Sequence, residues 1–117
     1  MSETEKQIIL IILDHIEICR QRLESIAKAD DFIYLTDGGL KLDAISMRLQ
    51  AIAENIKRIT KMQPSLLQKY PEINWDDIVR FRNFISHHYE LLDHEIVFHI
   101  CSVHLPLLKF ALQKEIE

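Results

Sequence analysis

Between Leu42 and Ile59 the residues Leu42, Ile45, Leu49, Ile52, Ile56 and Ile59 recur at alternating steps of three and four. Only an α-helix packed along one seam turns that period into a continuous apolar stripe. A strand would scatter the same residues over both faces of a sheet. The rest of the chain agrees, because 117 residues contain only 2 Gly and 3 Pro, too few turn formers for an all-β domain of this length. With 48% hydrophobic and 27% charged residues, the chain reads as one compact domain over residues 1–117. A domain of this size buries roughly two-thirds of its unfolded surface, enough for a core without disulfides or metals. Cys19 and Cys101 fit neither a metal spacing nor a disulfide framework, so both read as small buried hydrophobes in a reducing cytoplasm. The first residues are acidic where a signal peptide would be basic, and the apolar run Ile8–Leu13 is far shorter than the about 20 residues that span a bilayer, so no membrane role is expected. A net charge of -4 gives no overall attraction to nucleic acid, and any RNA site must be local.

Helix punctuation completes the fold. Ser2 and Glu5 have the spacing of a capping box, so a first helix is expected from there to about Lys28, before Ala29-Asp-Asp. Ile8, Ile12, Ile16, Cys19, Leu23 and Ile26 make one face of it, while Ile9, Ile11, Leu13 and Ile18 spread over the rest, the pattern of burial on two sides. That suits either the central helix of a bundle, which the pattern favours, or a dimer interface. Asp37-Gly-Gly is a breaker, after which the seam helix runs to about Met62. Pro64 permits a short helical piece before Tyr70-Pro71. Asn74 caps a third long helix, Trp75 to about Tyr89, with Asp76 and Asp77 at its positive end. Asp93 caps a fourth, to about Glu115, which Pro106 should kink after His104-Leu105. The expected fold is an all-α, up-down four-helix bundle with a short extra helical segment before the third long helix.

The third long helix contains a stretch that core packing does not explain, Arg80-Phe-Arg-Asn-Phe-Ile-Ser-His-His-Tyr89. Ile78, Phe81 and Ile85 set its core direction, and at 100° per residue Arg82 falls only about 40° from Ile78. Asn83 and His87, four apart, share the opposite, polar side. Residues five apart point about 140° away from each other, so Arg82 and His87 of one chain do not converge on an ideal helix. Either the helix loosens after Ser86, or a two-fold axis brings Arg82 of one subunit near His87 of another. Alternatively Arg82 lays its stem along the core and pairs with an acid such as Glu54 or Asp77.

Arg82-Asn83-x-x-x-His87-x-Tyr89 resembles the R-x4-H-x-Y motif of HEPN-domain toxins, in particular the HepT-like group paired with a MntA-type nucleotidyltransferase antitoxin. Similar flanks extend the likeness over nearly the whole chain: Tyr70-Pro-Glu-Ile-Asn-Trp75, Asp93 and Leu105-Pro-Leu-Leu108 in the C-terminal half, Asp43-Ala-Ile and Glu54 in the N-terminal half. Two positions depart from the pattern. Phe81 stands where many relatives carry a small or flexible residue, and His88 makes a His-His pair before Tyr89. The resemblance implies a homodimer whose motif helices meet, and metal-independent endoribonuclease activity at their junction, as the toxin of a type II/VII-like toxin–antitoxin system. No cofactor is implied. Cleaving RNA without a metal needs a group that moves a proton and another that neutralises charge growing on phosphate. Histidine titrates near neutrality and arginine offers phosphate a fixed bidentate fork. His87 takes the first role, Arg82 the second, and Asn83 orients by hydrogen bonding. Tyr89 is where, by the same resemblance, the antitoxin transfers AMP and silences the toxin.

Other clusters are weaker. His87, His88, His94, His99 and His104 crowd into eighteen residues, but His94, His99 and His104 are five apart rather than three or four, and no Cys or carboxylate pair completes a ligand set, so no metal is expected. Lys57, Arg58, Lys61, Lys69 and Arg80 form either a local basic rim for RNA or, more commonly for such charges, a solvated face. Trp75 reads as core rather than a base-stacking platform. The alternative function is a non-catalytic helical partner that binds a nucleotidyltransferase or its nucleotide, which the acidic net charge favours.

Overall fold

The computed structural model describes residues 1–87 and 93–117, and of residues 83–87 the backbone alone. Seven α-helices run in order among the described residues: α1 Glu3–Leu23, α2 Asp31–Tyr34, α3 Gly38–Met62, α4 Ser65–Lys69, α5 Trp75–His87, α6 His94–His99 and α7 Leu105–Ile116, with a π-helical turn at Ile100–His104 joining the last two. There is no strand among the described residues. The four long helical rods are therefore α1, α3, α5 and the continuous stretch 94–116, as expected of an all-α bundle. α3 packs against α1, α5, α2 and α6, while α1 also packs against α7.

Three of the four rods start at a side-chain cap, while α3 follows Asp37, which makes none. Ser2 Oγ accepts from the Glu5 N–H at 3.1 Å, the N-cap half of a capping box, while its hydroxyl donates to Glu5 Oε1 at 3.1 Å. Asp93 accepts from the N–H groups of Glu95 and Ile96 at 2.9 and 3.2 Å. α1 ends at Leu23 rather than near Lys28, because the Asp31 carboxylate takes the N–H groups of Ala27 and Lys28, at 2.8 and 3.3 Å, into the turn leading to α2. The expected two-sided burial of α1 is not found, since at 100° per residue its buried residues fall on one arc of about 100°. Ile8, Ile9, Ile12, Ile16 and Cys19 are buried between α3 and α7, and Leu13 packs on the same core. Ile11, expected on a second buried side, is exposed, as is Leu10, so α1 is not the central helix, and α3, with α1, α5, α2 and α6 packed against it, takes that place. The seam of α3 is as read: Ile45, Leu49, Ile52, Ile56 and Ile59 are all buried, and Leu42 packs against them.

Gly38 opens α3 under the backbone of α2. A Cβ there would run into the carbonyl oxygens of Asp31 and Phe32, whereas one at Gly39 meets nothing within 4 Å. Gly38→Ala is therefore expected to destabilise the fold by about 1–3 kcal/mol through overpacking. Gly39→Ala should be neutral or stabilising, since alanine favours a helix. Thermal unfolding of the two variants side by side checks this.

Pro106 does not end or break the last helix. Proline has no N–H to offer the carbonyl four residues back. The chain answers with a wider turn, in which the Leu105 N–H bonds Ile100 O. The stretch His94–Ile116 is also, by length and apolar composition, able to cross a membrane, a feature that attention to Ile8–Leu13 alone overlooks. Val97, Ile100, Leu105, Leu108 and Leu112 of this stretch are buried in the bundle core, which accounts for part of the composition, while Ile96, Val103, Leu107 and Phe110 are exposed.

Candidate active site

α5 is set by its first turn. Asn74 Oδ1 accepts the Asp77 N–H at 3.1 Å and Asn74 Nδ2 donates to Asp77 Oδ2 at 2.7 Å. Trp75 is buried, its Nε1 donating to Tyr70 O at 3.2 Å, so it is core and not a platform for bases. Ile78 and Phe81 are buried and aim the helix at the core, as the wheel requires. Phe81, the departure from the resembled pattern, is thus accommodated as a packing residue.

Arg82 lies on the flank of that face and donates from Nε to Glu54 Oε1 of α3 at 3.0 Å. This is the pairing that the sequence offered as an alternative. The pair is 37% and 48% exposed, so its contribution to stability is small, about 1 kcal/mol or less. Its effect is orientation: an anchored Nε fixes the guanidinium plane, and a bidentate grip on phosphate through the two terminal nitrogens remains compatible with it. Tyr89 lies outside the described residues, as do the side chains of Asn83 and His87 and the whole of His88, so of the four motif residues the structure places Arg82.

On the other flank of α5 a cleft of about 240 Å³ opens against the last helix, lined by Asp77, Arg80, Phe81, His99, Ile100 and His104. The spacing argument that keeps His99 and His104 apart fails here. On an α-helix residues five apart diverge, but a π turn bonds residue i to i+5 and brings them one above the other. The two imidazole centroids are 5.3 Å apart in an edge-to-face arrangement of 76°. Burial, followed by His99, lowers the His104 pKa, while Asp77 opposes with a rise, so the ring is neutral near pH 7. Sequence reasoning missed this cleft, and the overlooked signal was a pair of histidines five apart just ahead of a proline.

Two further clusters bear on earlier expectations. Asp30, His94 and Glu95 bring their ligand atoms within 4.8 Å of one another, so a carboxylate pair does stand beside a histidine. The Asp30–His94 contact at 3.2 Å and the place of Glu95 in the first turn of α6 account for them without an ion. A cavity of about 180 Å³ between α1 and the last helix is walled by Cys19, Cys101 and Leu105, with Arg20 and Lys109 also lining it. Burial pushes the Cys19 thiol up to about 12 and raises that of Cys101 as well, so both are inert apolar groups, as expected. Among the basic residues, Lys57, Arg58 and Lys61 are exposed along α3, and Lys69 is tied to Glu115 at 2.7 Å.

A family model described as "Ribonuclease HepT-like" matches residues 12–115. No curated protein and no solved structure matches the chain. The matched region takes in the C-terminal half of α1 and the later helices up to residue 115, with Glu54, Arg82 and the rest of the R-x4-H-x-Y stretch inside it. Helical architecture and family model agree, and the chain belongs to the HepT-like family of HEPN-type ribonucleases.

Proposed function

We propose that the protein is the toxin of a toxin–antitoxin pair, a metal-independent endoribonuclease whose cutting site is assembled from Arg82, Asn83 and His87 where two subunits meet. The observation that carries this reading is the complete motif inside the family match. His87 moves the proton at the RNA 2′-hydroxyl or at the leaving oxygen, Arg82 holds the phosphate as its charge grows, and Asn83 orients one of the two. Glu54 acts as a positioning residue for Arg82 through the Nε contact. The partner in this reading is a MntA-type nucleotidyltransferase, and the site of action is the cytoplasm. Purified protein with chelator present is expected to cut total RNA, and failure of the wild type to do so overturns the enzymatic reading.

Dimerisation is supported by surface composition. Val103, Leu107 and Phe110 are 44%, 41% and 60% exposed and repeat at steps of four and three along the last helix, an apolar stripe that the bundle leaves uncovered. Light scattering at micromolar concentration is expected to give a dimer, and a monomer would sink the shared-site geometry. A second reading, a non-catalytic partner that binds a nucleotidyltransferase or its nucleotide, draws on the net charge of -4, which does not favour a polyanionic substrate.

A further inference from the structure

The cleft between α5 and the last helix carries chemistry that the cutting residues do not use. Its floor is apolar, with Phe81 and Ile100 only 4% and 8% exposed. Above it stand two imidazoles in edge-to-face contact, His99 exposed and His104 half-buried. Exposed Arg80 and Asp77 supply opposite hydrogen-bonding characters, a guanidinium that only donates and a carboxylate that only accepts.

Several ligands are disfavoured by this combination. A free anion meets Asp77 and a neutral His104. A metal ion meets the Arg80 cation. A flat, neutral ring with polar edges fits all the elements at once. We propose that this cleft seats one unstacked nucleobase of the RNA strand, with the exposed His99 ring as its stacking face and Arg80 and Asp77 reading carbonyl and amino edges, so that it sets the base preference of cutting. The inference rests on the ribonuclease reading.

Placement supports it. Single-stranded RNA is recognised by stacking splayed bases on aromatic or guanidinium planes and bonding their edges. Arg80 stands seven residues, two turns, ahead of His87 on the same helix. A strand whose phosphate lies at the cutting residues therefore has a neighbouring base within reach of the cleft.

The test uses the full chain and four fluorescent RNA homo-oligomers of A, C, G and U, 2′-O-methylated so that they cannot be cut, with binding read by anisotropy at fixed salt. Wild type is expected to prefer one base. Arg80→Ala and His99→Ala, both at exposed positions, are expected to weaken that oligomer about fivefold or more and to flatten the preference, in keeping with the worth of one stacked base. His99→Phe keeps a flat ring and is expected to restore binding, which a merely structural role for His99 would not predict. Equal binding of all four oligomers by wild type, or a preference untouched in Arg80→Ala and His99→Ala, overturns the base pocket. Wild-type cutting of total RNA, followed in parallel, separates the two ideas. Cutting with an unaltered preference in the variants removes the pocket and leaves the ribonuclease, whereas a wild type that neither binds nor cuts RNA removes both.

Discussion

His87→Ala and Arg82→Ala are each expected to lower RNA cutting in the presence of a chelator by about 10²-fold or more, with the helical circular dichroism unchanged. The two losses have different origins. Without His87 no group near neutral pKa moves the proton, whereas without Arg82 charge grows on the phosphate without a fixed counter-charge. Arg82→Lys should be nearly as damaging as Arg82→Ala, because a lysine keeps the charge but not the planar fork that Glu54 holds by Nε. Unfolding does not confound the result, since the Arg82–Glu54 pair is half-exposed and contributes little to stability. Glu54→Gln, which keeps an acceptor but loses the charge, should give a milder defect if Glu54 only orients. If wild type is inert on total RNA and harmless when expressed alone, the binding-partner reading takes over.

Co-expression with the cognate nucleotidyltransferase is expected to add one or more AMP units to Tyr89, and Tyr89→Phe is expected to escape neutralisation altogether. In the transfer, the phenol oxygen bonds to the α-phosphorus of ATP, pyrophosphate leaves, and the phenol proton passes to a base of the partner enzyme. The product sets a phosphate and its bulk two residues beyond His87, where it would repel RNA and occupy Arg82. The chain has 3 tyrosines, and the other two make the measurement discriminating. Tyr70 is buried and donates to Glu115 at 2.8 Å; burial first, and that carboxylate second, push its phenol up to about 12, so it is a poor nucleophile. Tyr34 is 80% exposed and tests whether exposure alone is enough. Intact and peptide mass spectrometry of the co-expressed pair should find the adduct on Tyr89 and not on Tyr34. An unmodified Tyr89 in a pair that still protects cells would leave inhibition by direct binding.

The rods of this bundle were legible because each is declared locally. Ser2, Asn74 and Asp93 announce their helices with side chains that accept the first free N–H groups, and the α3 stripe needs only its period. What could not be read depends on contacts distant in sequence. The early end of α1 and the existence of α2 follow from the Asp31 carboxylate folding back on Ala27 and Lys28, a choice that propensity does not make. The partner of Arg82 was legible as one of two acids, and which one was decided by the packing of α3 on α5. The His99–His104 pair was misread because an α-helical period was carried through Ile100–His104, where the hydrogen-bond ladder widens ahead of Pro106.

The π turn has a consequence for how the last rod serves its neighbours. One extra residue in a turn shifts the phase of everything downstream by about 100° relative to an unbroken α-helix. α6 addresses α3, and α7 addresses α1. The rod behaves like a camshaft with two lobes set at different angles, and the five residues Ile100–His104 fix the offset between them. Forcing the same residues into an unbroken α-helix would rotate Leu108 and Leu112 off the α1 seam by about 100° while leaving Val97 in place, whereas losing a single residue there would straighten the helix and keep both seams. The wide turn therefore absorbs one residue of chain length so that both seams stay closed, and the same turn brings His99 and His104 to a common cleft.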